Sequence, residues 1–277
     1  VPAYTKQLIK ERSAIGSFLL HQEHPVIVSL DIETTPLAAY TWGPKWETSL
    51  IEVTGYSNIL SYSVKLLGGK QITRGWINLP GYKPGKIDDK KIVKELWEIL
   101  NSSDVVITQN GKDFDIRVIN SRFSFHGLTP PSPYKVIDTK IEARKYLRLP
   151  SHSLDDLSAY FGLGKKLRHQ GFDLWKLCMA GDKDAWGTML RYNRHDVVLL
   201  EKLYLKLLPW MGSHPNLGMY HTNLVCPYCG SSHVNYRGFN ISRTTKYRRI
   251  QCRDCGGWSR DHENLMKGQE KPIVPAT

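Results

Sequence analysis

No window of this chain approaches 18 consecutive apolar residues, so its sequence encodes no membrane-spanning helix. Internal repeats and low-complexity tracts are also absent, which excludes solenoids and collagen-like rods. The opening stretch VPAYTKQLIKERSAIGSFLL lacks the charged, apolar and small-residue order of a secretory signal. Cysteine is scarce, five in 277 residues, and four of the five fall in the last quarter. Together these absences lead us to expect a protein of a reducing compartment, cytoplasmic or nucleoid-associated and not secreted. Negative charge is the minority sign: 26 Asp and Glu stand against 38 Lys and Arg, a net charge of +12. That excess argues for a polyanionic partner, nucleic acid first. What remains is ordinary. Apolar residues make up 41% and charged residues 23%, enough for a packed core, and the length suits two domains at roughly 150 residues each.

Apolar periodicity divides residues 26–208 into a β-rich beginning and a helix-rich end. VIVSLDIE (26–33) is a compact apolar run, and ILSYSVKLL (59–67), Gly68-Gly69 and QITRGWINL (71–79) read as a hairpin. Helical spacing follows at 92–100, a buried strand at 104–110, helical spacing again at 114–125, and a strand at 134–138 after three prolines. Ser153 is placed to cap a helix over 153–163, and a long helix is predicted from about 183 to 208. This order is that of an α/β fold with a mixed five-stranded sheet flanked by helices. Residues 1–23 read as an N-terminal extension, 24–210 as the main domain, 211–223 as a linker and 224–277 as a small second domain with a tail.

Three acidic groups stand out. In SLDIETTP, Asp31 and Glu33 are i and i+2 on a strand, so both carboxylates face one side while Ile32 packs the other. Hard divalent cations prefer oxygen ligands of this kind. In ITQNGKDFDIRV a buried strand runs into a polar turn with Asp115 at the start of a helix; capping alone would also explain that acid. In RYNRHDVVLL, Tyr192 and Asp196 are i and i+4, on one helix face.

These residues resemble the DnaQ-like 3′–5′ exonucleases of the ribonuclease H-like superfamily, in their tyrosine (DEDDy) branch. The first family motif, D-x-E, matches Asp31 and Glu33. The second, Asn, a short gap and then an aromatic-Asp pair, matches Asn110, Phe114 and Asp115. The third, Y-x-x-x-D, matches Tyr192 and Asp196; the histidine branch would place His where Arg191 stands, and His195 lies about 100° round the helix. The gap between Asn110 and Phe114 is a little long, and Asp113 is a rival acid. Asp115 is preferred because it follows the aromatic residue expected to pack under the sheet. Asp138, Asp155 and Asp156 read as helix-terminal acids.

The resemblance covers residues 24–208. It implies phosphodiester hydrolysis with two Mg²⁺ or Mn²⁺ ions: Asp31 bridging both, Glu33 and Asp196 completing one site, Asp115 supporting the other, and Tyr192 orienting the attacking water. It further implies that Thr34, Asn110 and Phe114 contact the terminal nucleotide, with single-stranded DNA favoured over RNA and a role in replication or repair. An exoribonuclease and a non-catalytic nucleic-acid-binding adaptor are the alternatives. Tyr40, Trp42 and Trp46 could stack on bases, and KKLRHQ (165–170) could meet phosphates, although a loop aromatic is more often structural and a basic run more often a solvated face.

Cys226-Pro-Tyr-Cys229-Gly and Cys252-Arg-Asp-Cys255-Gly are separated by 22 residues. Two C-x-x-C turns complete a closed tetrahedral Cys₄ site, so one structural Zn²⁺ in a zinc ribbon is expected, with a hairpin between the pairs. His233 is a possible competitor and Cys178 reads as a core residue. Residues 216–277 hold nine Lys and Arg against four Asp and Glu, a net +5. The ribbon is therefore expected to meet nucleic acid, or else a replication or repair protein.

Overall fold

The computed structural model describes residues 25–43, 49–86, 88–269 and 273–274. The expected N-terminal extension and Trp46 lie outside the described residues. The chain divides into two compact units after Tyr204.

The first unit is built on a five-stranded sheet. Its elements are β1 (Ile27–Thr34), β2 (Ala38–Thr41), β3 (Leu50–Gly55), β4 (Ile59–Leu66), β5 (Gln71–Gly75), α1 (Lys90–Asn101), β6 (Val105–Thr108), α2 (Asp115–Phe125), β7 (Lys135–Asp138), α3 (Thr139–Tyr146), α4 (Leu154–Tyr160), α5 (Phe172–Ala180) and α6 (Lys183–Leu207), which runs on into the second unit. The strand order is β5-β4-β1-β6-β7. β1 is central, antiparallel to β4 and parallel to β6, and β6 is parallel to β7. The sheet is thus mixed, as the alternation of elements requires. Gly68 turns β4 into β5 with φ 65°, a left-handed value that costs glycine little.

The period-2 pattern of β1 and β4 reflects burial on both faces. Val28, Leu30, Ile32, Leu60, Tyr62 and Val64 are all buried, and so are Ser29, Ser61 and Ser63 between them. In α1, Ile92, Val93, Leu96, Ile99 and Leu100 recur at helical spacing and are fully buried, each contributing roughly 1.5–3 kcal/mol relative to exposure. Just before α1, buried Asp89 accepts from the Ile59 amide at 3.0 Å and from Arg122 Nε and Nη2 at 2.7 Å, tying α2 to β4. Gly75 lies against Trp186 of α6: a Cβ there would come within 2.4 Å of the ring. That contact fixes the long helix against the end of β5.

Besides α5 and β10 (Trp258–Arg260), two further strands were not foreseen. β2 and β3 form a separate two-stranded antiparallel sheet immediately after β1; both are short and mostly exposed, so they carry no apolar alternation to read. Phe114, expected to pack under the sheet, is 44% exposed. As the residue capping α2 it turns outward, and its neighbours Asp115 and Ile119 take the buried side.

The second unit contains β8 (Val234–Ile241), β9 (Lys246–Cys252) and β10 (Trp258–Arg260), an antiparallel sheet in the order β10-β9-β8. The hairpin expected between the cysteine pairs is β8–β9. Among the described residues, no helix is long and apolar enough to cross a membrane.

Candidate functional site

The acid pair of β1 sits on the central strand. Asp31 and Glu33 lie opposite Ser63 and Ser61 of β4, small partners that leave room above the strand. The register slips between Glu33 and Thr34, and the strand bends there. Asp115, first residue of α2, is 4% exposed and reaches back to β1, where its Oδ1 accepts from the Ile32 amide at 3.1 Å. The rival Asp113 is on the surface, paired with Arg117 at 3.4 Å.

The loop that delivers Asp115 is held by another acid. Asn110 has φ 63°, the left-handed region that Asn tolerates. Its amide and that of Lys112 donate to the two oxygens of Asp138, at 2.9 and 3.1 Å, while Asp138 also caps α3 through the Lys140 and Ile141 amides. Asp138 is 1% exposed. It is a cap, as its position implied, but one that also sets the conformation of the preceding loop. The Asn110 side chain accepts from Lys140 Nζ at 3.1 Å.

From α6, Tyr192 and Asp196 face the same region, 8% and 2% exposed. Arg191 is exposed, and His195 turns away to the Lys165 carbonyl at 2.9 Å. Two further residues at this place were not picked out individually in the sequence. Asn193, fully buried, donates from Nδ2 to Asp31 Oδ2 at 2.6 Å, and its Oδ1 accepts from Ser61 Oγ at 3.4 Å. Lys166 comes from the irregular segment between α4 and α5, with Nζ 2.7 Å from Asp196 Oδ2 and 5.0 Å from the centre of the Tyr192 ring. Its backbone amide donates to Asp155 at 2.8 Å. The basic run 165–170 is therefore not only a solvated face.

The electrostatics show how closely the acids gather. Burial pushes Asp31 well above the usual carboxylate range, with Asp115, Glu33 and Asp196 adding to the shift and Lys166 opposing it. Burial, then Asp196, raises Glu33 to about 8. Burial raises Asp115 to about 7 against the pull of the Ile32 amide. Asp196 is raised by burial and held back by Lys166 and Tyr192. Burial and then Asp196 lift the Tyr192 phenol to about 12. Burial alone would lower Lys166, but Asp196 and Tyr192 reverse that and its pKa rises.

Like charges driven together in a poorly solvated place favour a cation. Consistent with this, Asp196 Oδ1 is buried with no hydrogen-bond partner among the described residues. The carboxylates are oxygen donors of the type that Mg²⁺ or Mn²⁺ takes, so the donor set fits such an ion. Thr34 stands at the bend of β1, and Asn110 and Phe114 at the mouth of the loop before α2. Tyr40 and Trp42, in and just after β2, are 64% and 90% exposed.

In the second unit Cys226, Cys229, Cys252 and Cys255 bring their sulfurs within 4.8 Å of one another. Cys226–Cys255 and Cys229–Cys252 are separated by 3.6 and 3.7 Å, close to the ~3.8 Å edge of a tetrahedron with Zn–S bonds of about 2.3 Å. The turns are built for it: Gly230 and Gly256 have φ 72° and 77°, and the Gly257 amide donates to Cys255 Sγ at 3.4 Å. Burial raises the Cys229 thiol to about 11 and pushes Cys255 up further, whereas at Cys252 burial is outweighed by backbone amides and neighbouring thiols together, which lower it. A bound cation would reverse the upward shifts by favouring thiolates. His233 is exposed and faces Asp254 at 3.2 Å, away from this set. Cys178 is fully buried in the core of the first unit.

A family model described as RNase_H_2, of the RNase_H superfamily, matches residues 51–208, 158 of the 277 in the chain. The matched span holds Asp115, Tyr192 and Asp196; β1 with Asp31 and Glu33 precedes it. No curated protein matches the chain. Among solved structures, the family B DNA polymerase from the hyperthermophilic archaeon Pyrobaculum calidifontis is similar at 15% identity and a TM-score of 0.48, over 79% of this chain and 31% of that one. The chain therefore spans less than a third of that polymerase. The family match covers more than half of the sequence and takes in four of the five strands of the mixed sheet, β4 to β7, with their flanking helices: the chain belongs to the ribonuclease H superfamily.

Proposed function

We propose that this protein is a metal-dependent 3′–5′ exonuclease of the tyrosine (DEDDy) type, acting on single-stranded DNA in replication or repair, with a zinc ribbon as its second domain. Superfamily membership supports a nuclease, and the finer reading rests on one observation. Asp31, Glu33, Asp115 and Asp196 come from β1, α2 and α6 to one poorly solvated place, where their mutual charge favours a cation. Two Mg²⁺ or Mn²⁺ ions held by these four acids would supply charge neutralisation at the phosphate and acidify water. One Zn²⁺ held by the four cysteines would staple the ribbon.

The protein groups then have distinct tasks. Tyr192, with its phenol near 12, keeps its proton at neutral pH and orients the attacking water by hydrogen bonding instead of removing its proton. Asn193 fixes the Asp31 carboxylate through the 2.6 Å bond from its amide. Lys166 balances charge at Asp196. Phe114, half-exposed at the start of α2, offers a ring to the terminal base, and Thr34 and Asn110 contact the same nucleotide. The domain limits proposed are 24–210 for the nuclease and 224–277 for the ribbon with its tail, joined by 211–223.

The test uses 5′- and 3′-labelled single strands of DNA and RNA with Mg²⁺ or Mn²⁺. Stepwise shortening from the 3′ end, faster on DNA and lost in Asp31→Ala and Asp196→Ala, is expected. Metal-independent cleavage, internal cuts, or an Asp31→Ala variant as active as a surface control would refute the reading.

A further inference from the structure

The second unit carries a surface that the nuclease reading does not use. Strand pairing sorts its side chains into two faces. Tyr236 lies opposite Ile250, and Val234 opposite Cys252, which places the buried Ile250 and Cys252 on one face, whose far end with Phe239 and Ile241 is exposed. The other face is formed by Asn235, Asn240, Tyr247, Arg249 and Gln251, joined from β10 by Trp258 and Arg260, which pair with Gln251 and Arg249. Arg237 belongs to it as well, since its Nη1 donates to Gln251 Oε1 at 2.9 Å.

This face has three guanidiniums and two aromatic rings, and no acidic residue in its strands. The cations are already positioned. Arg260 lies 3.8 Å from the centre of the Tyr247 ring, Arg249 lies 5.3 Å from that of Trp258, and Arg249 Nε donates to the Arg237 carbonyl at 3.2 Å. Among the described residues none of the three has a carboxylate within ion-pair distance, and all three are exposed, with Trp258 43% exposed. Arginine forks that lack acidic partners suit phosphates, and a solvent-exposed ring suits an unpaired base, which a duplex keeps stacked on its neighbours.

We propose that this solvent face of the β8–β9–β10 sheet binds single-stranded nucleic acid, with phosphates on Arg237, Arg249 and Arg260 and a base stacked on Trp258. The inference deepens the functional reading above and rests on it only for the strand being the substrate.

The experiment measures anisotropy of short labelled DNA and RNA strands with the full chain carrying Asp31→Asn, so that binding is read without turnover. Replacing the three arginines together by Gln is expected to weaken binding at least tenfold. It should also lower the slope of log K against log salt by about two, at roughly 0.7 per lost phosphate contact, over roughly 50–200 mM salt. Trp258→Ala should weaken binding about tenfold with little change in slope. Zinc content reports whether each variant keeps its fold. If the triple variant loses zinc, the single Arg260→Gln and Trp258→Phe variants decide the matter.

Unchanged affinity and slope in zinc-loaded variants would overturn the proposal and leave the face to an acidic protein. In the chain with Asp31 intact, the triple variant should need more strand for half-maximal cleavage and reach the same maximal rate. Loss of cleavage in wild-type protein with strand binding preserved would sink the nuclease reading and not this one.

Discussion

Replacing Lys166 by Met removes the ammonium placed among Asp31, Glu33 and Asp196 and keeps most of the aliphatic stem. At 2.7 Å from Asp196 Oδ2, the gross attraction in an effective dielectric of about 20 is about 6 kcal/mol. Desolvation offsets much of it, and removal of one partner from a buried pair usually costs about 3–5 kcal/mol. Lys166 is 30% exposed along its side chain, and Asp196, already raised, relieves its charge by taking a proton. The lower end, about 3 kcal/mol, is therefore expected, a drop in Tm of about 6–12 °C for a unit of this size. The assay is thermal unfolding in Mg²⁺-free buffer, followed by helical circular dichroism, since α1 to α5 and most of α6 lie in the first unit. Mg²⁺ at about 100 times its Kd stabilises a binding-competent fold by about 2.7 kcal/mol. In wild type part of that gain is offset because the ammonium must be displaced; in Lys166→Met it is not. The variant should thus recover much of its deficit in Mg²⁺. Equal Mg²⁺ increments in the two proteins, or no deficit without Mg²⁺, would refute the idea that lysine and cation compete for the same carboxylates.

Without divalent ions the wild-type protein should lose stability as pH rises. Glu33 and Asp115 are raised to about 8 and about 7, so the folded state binds more protons than the unfolded state; their contribution is complete below about pH 4 and is lost as pH climbs through 7 to 8. The urea midpoint measured at acid and alkaline pH checks this, and a flat profile in the absence of metal counts against the raised values. Asn193→Leu strips Asp31 of its donor, a hydrogen bond to a charged group worth about 1.5–3 kcal/mol; cleavage should fall at least tenfold while zinc stays bound, and Asn193→Gln, one methylene longer, should not restore it. Cys252→Ser should release zinc and unfold β8–β10, with the helical circular dichroism of the first unit unchanged; retention of stoichiometric zinc would contradict a four-thiolate site.

Much of the site could be read from local spacing. Asp31 and Glu33 are visible because a strand has period two, and Tyr192 and Asp196 because a helix brings i and i+4 together. The cysteine turns announce themselves by C-x-x-C-G. Lys166 was hidden because one lysine within a basic run has no periodic partner; only the packing of 164–171 against α6 brings it to Asp196. Asn193 was hidden for a related reason, since a buried amide between two expected site residues reads as a helix polar position until β1 and β4 are seen beneath it. Phe114 shows the opposite failure: proximity to a buried acid implied a buried ring, and the helix start turned it outward.

The four acids and Lys166 stand on different kinds of support. The carboxylates come from a central strand and two packed helices, and α6 carries Tyr192, Asn193 and Asp196 on a single 25-residue rod pinned by Trp186 at one end of the sheet and by the Lys65–Glu201 pair beyond the site. Lys166 comes from the eleven residues Phe161–Gly171, which have neither helix nor strand. Attempts to retune this site therefore have a natural target. Insertions and substitutions in that segment can reposition a positive charge relative to a fixed acidic frame, whereas changes along α6 shift three site groups at once.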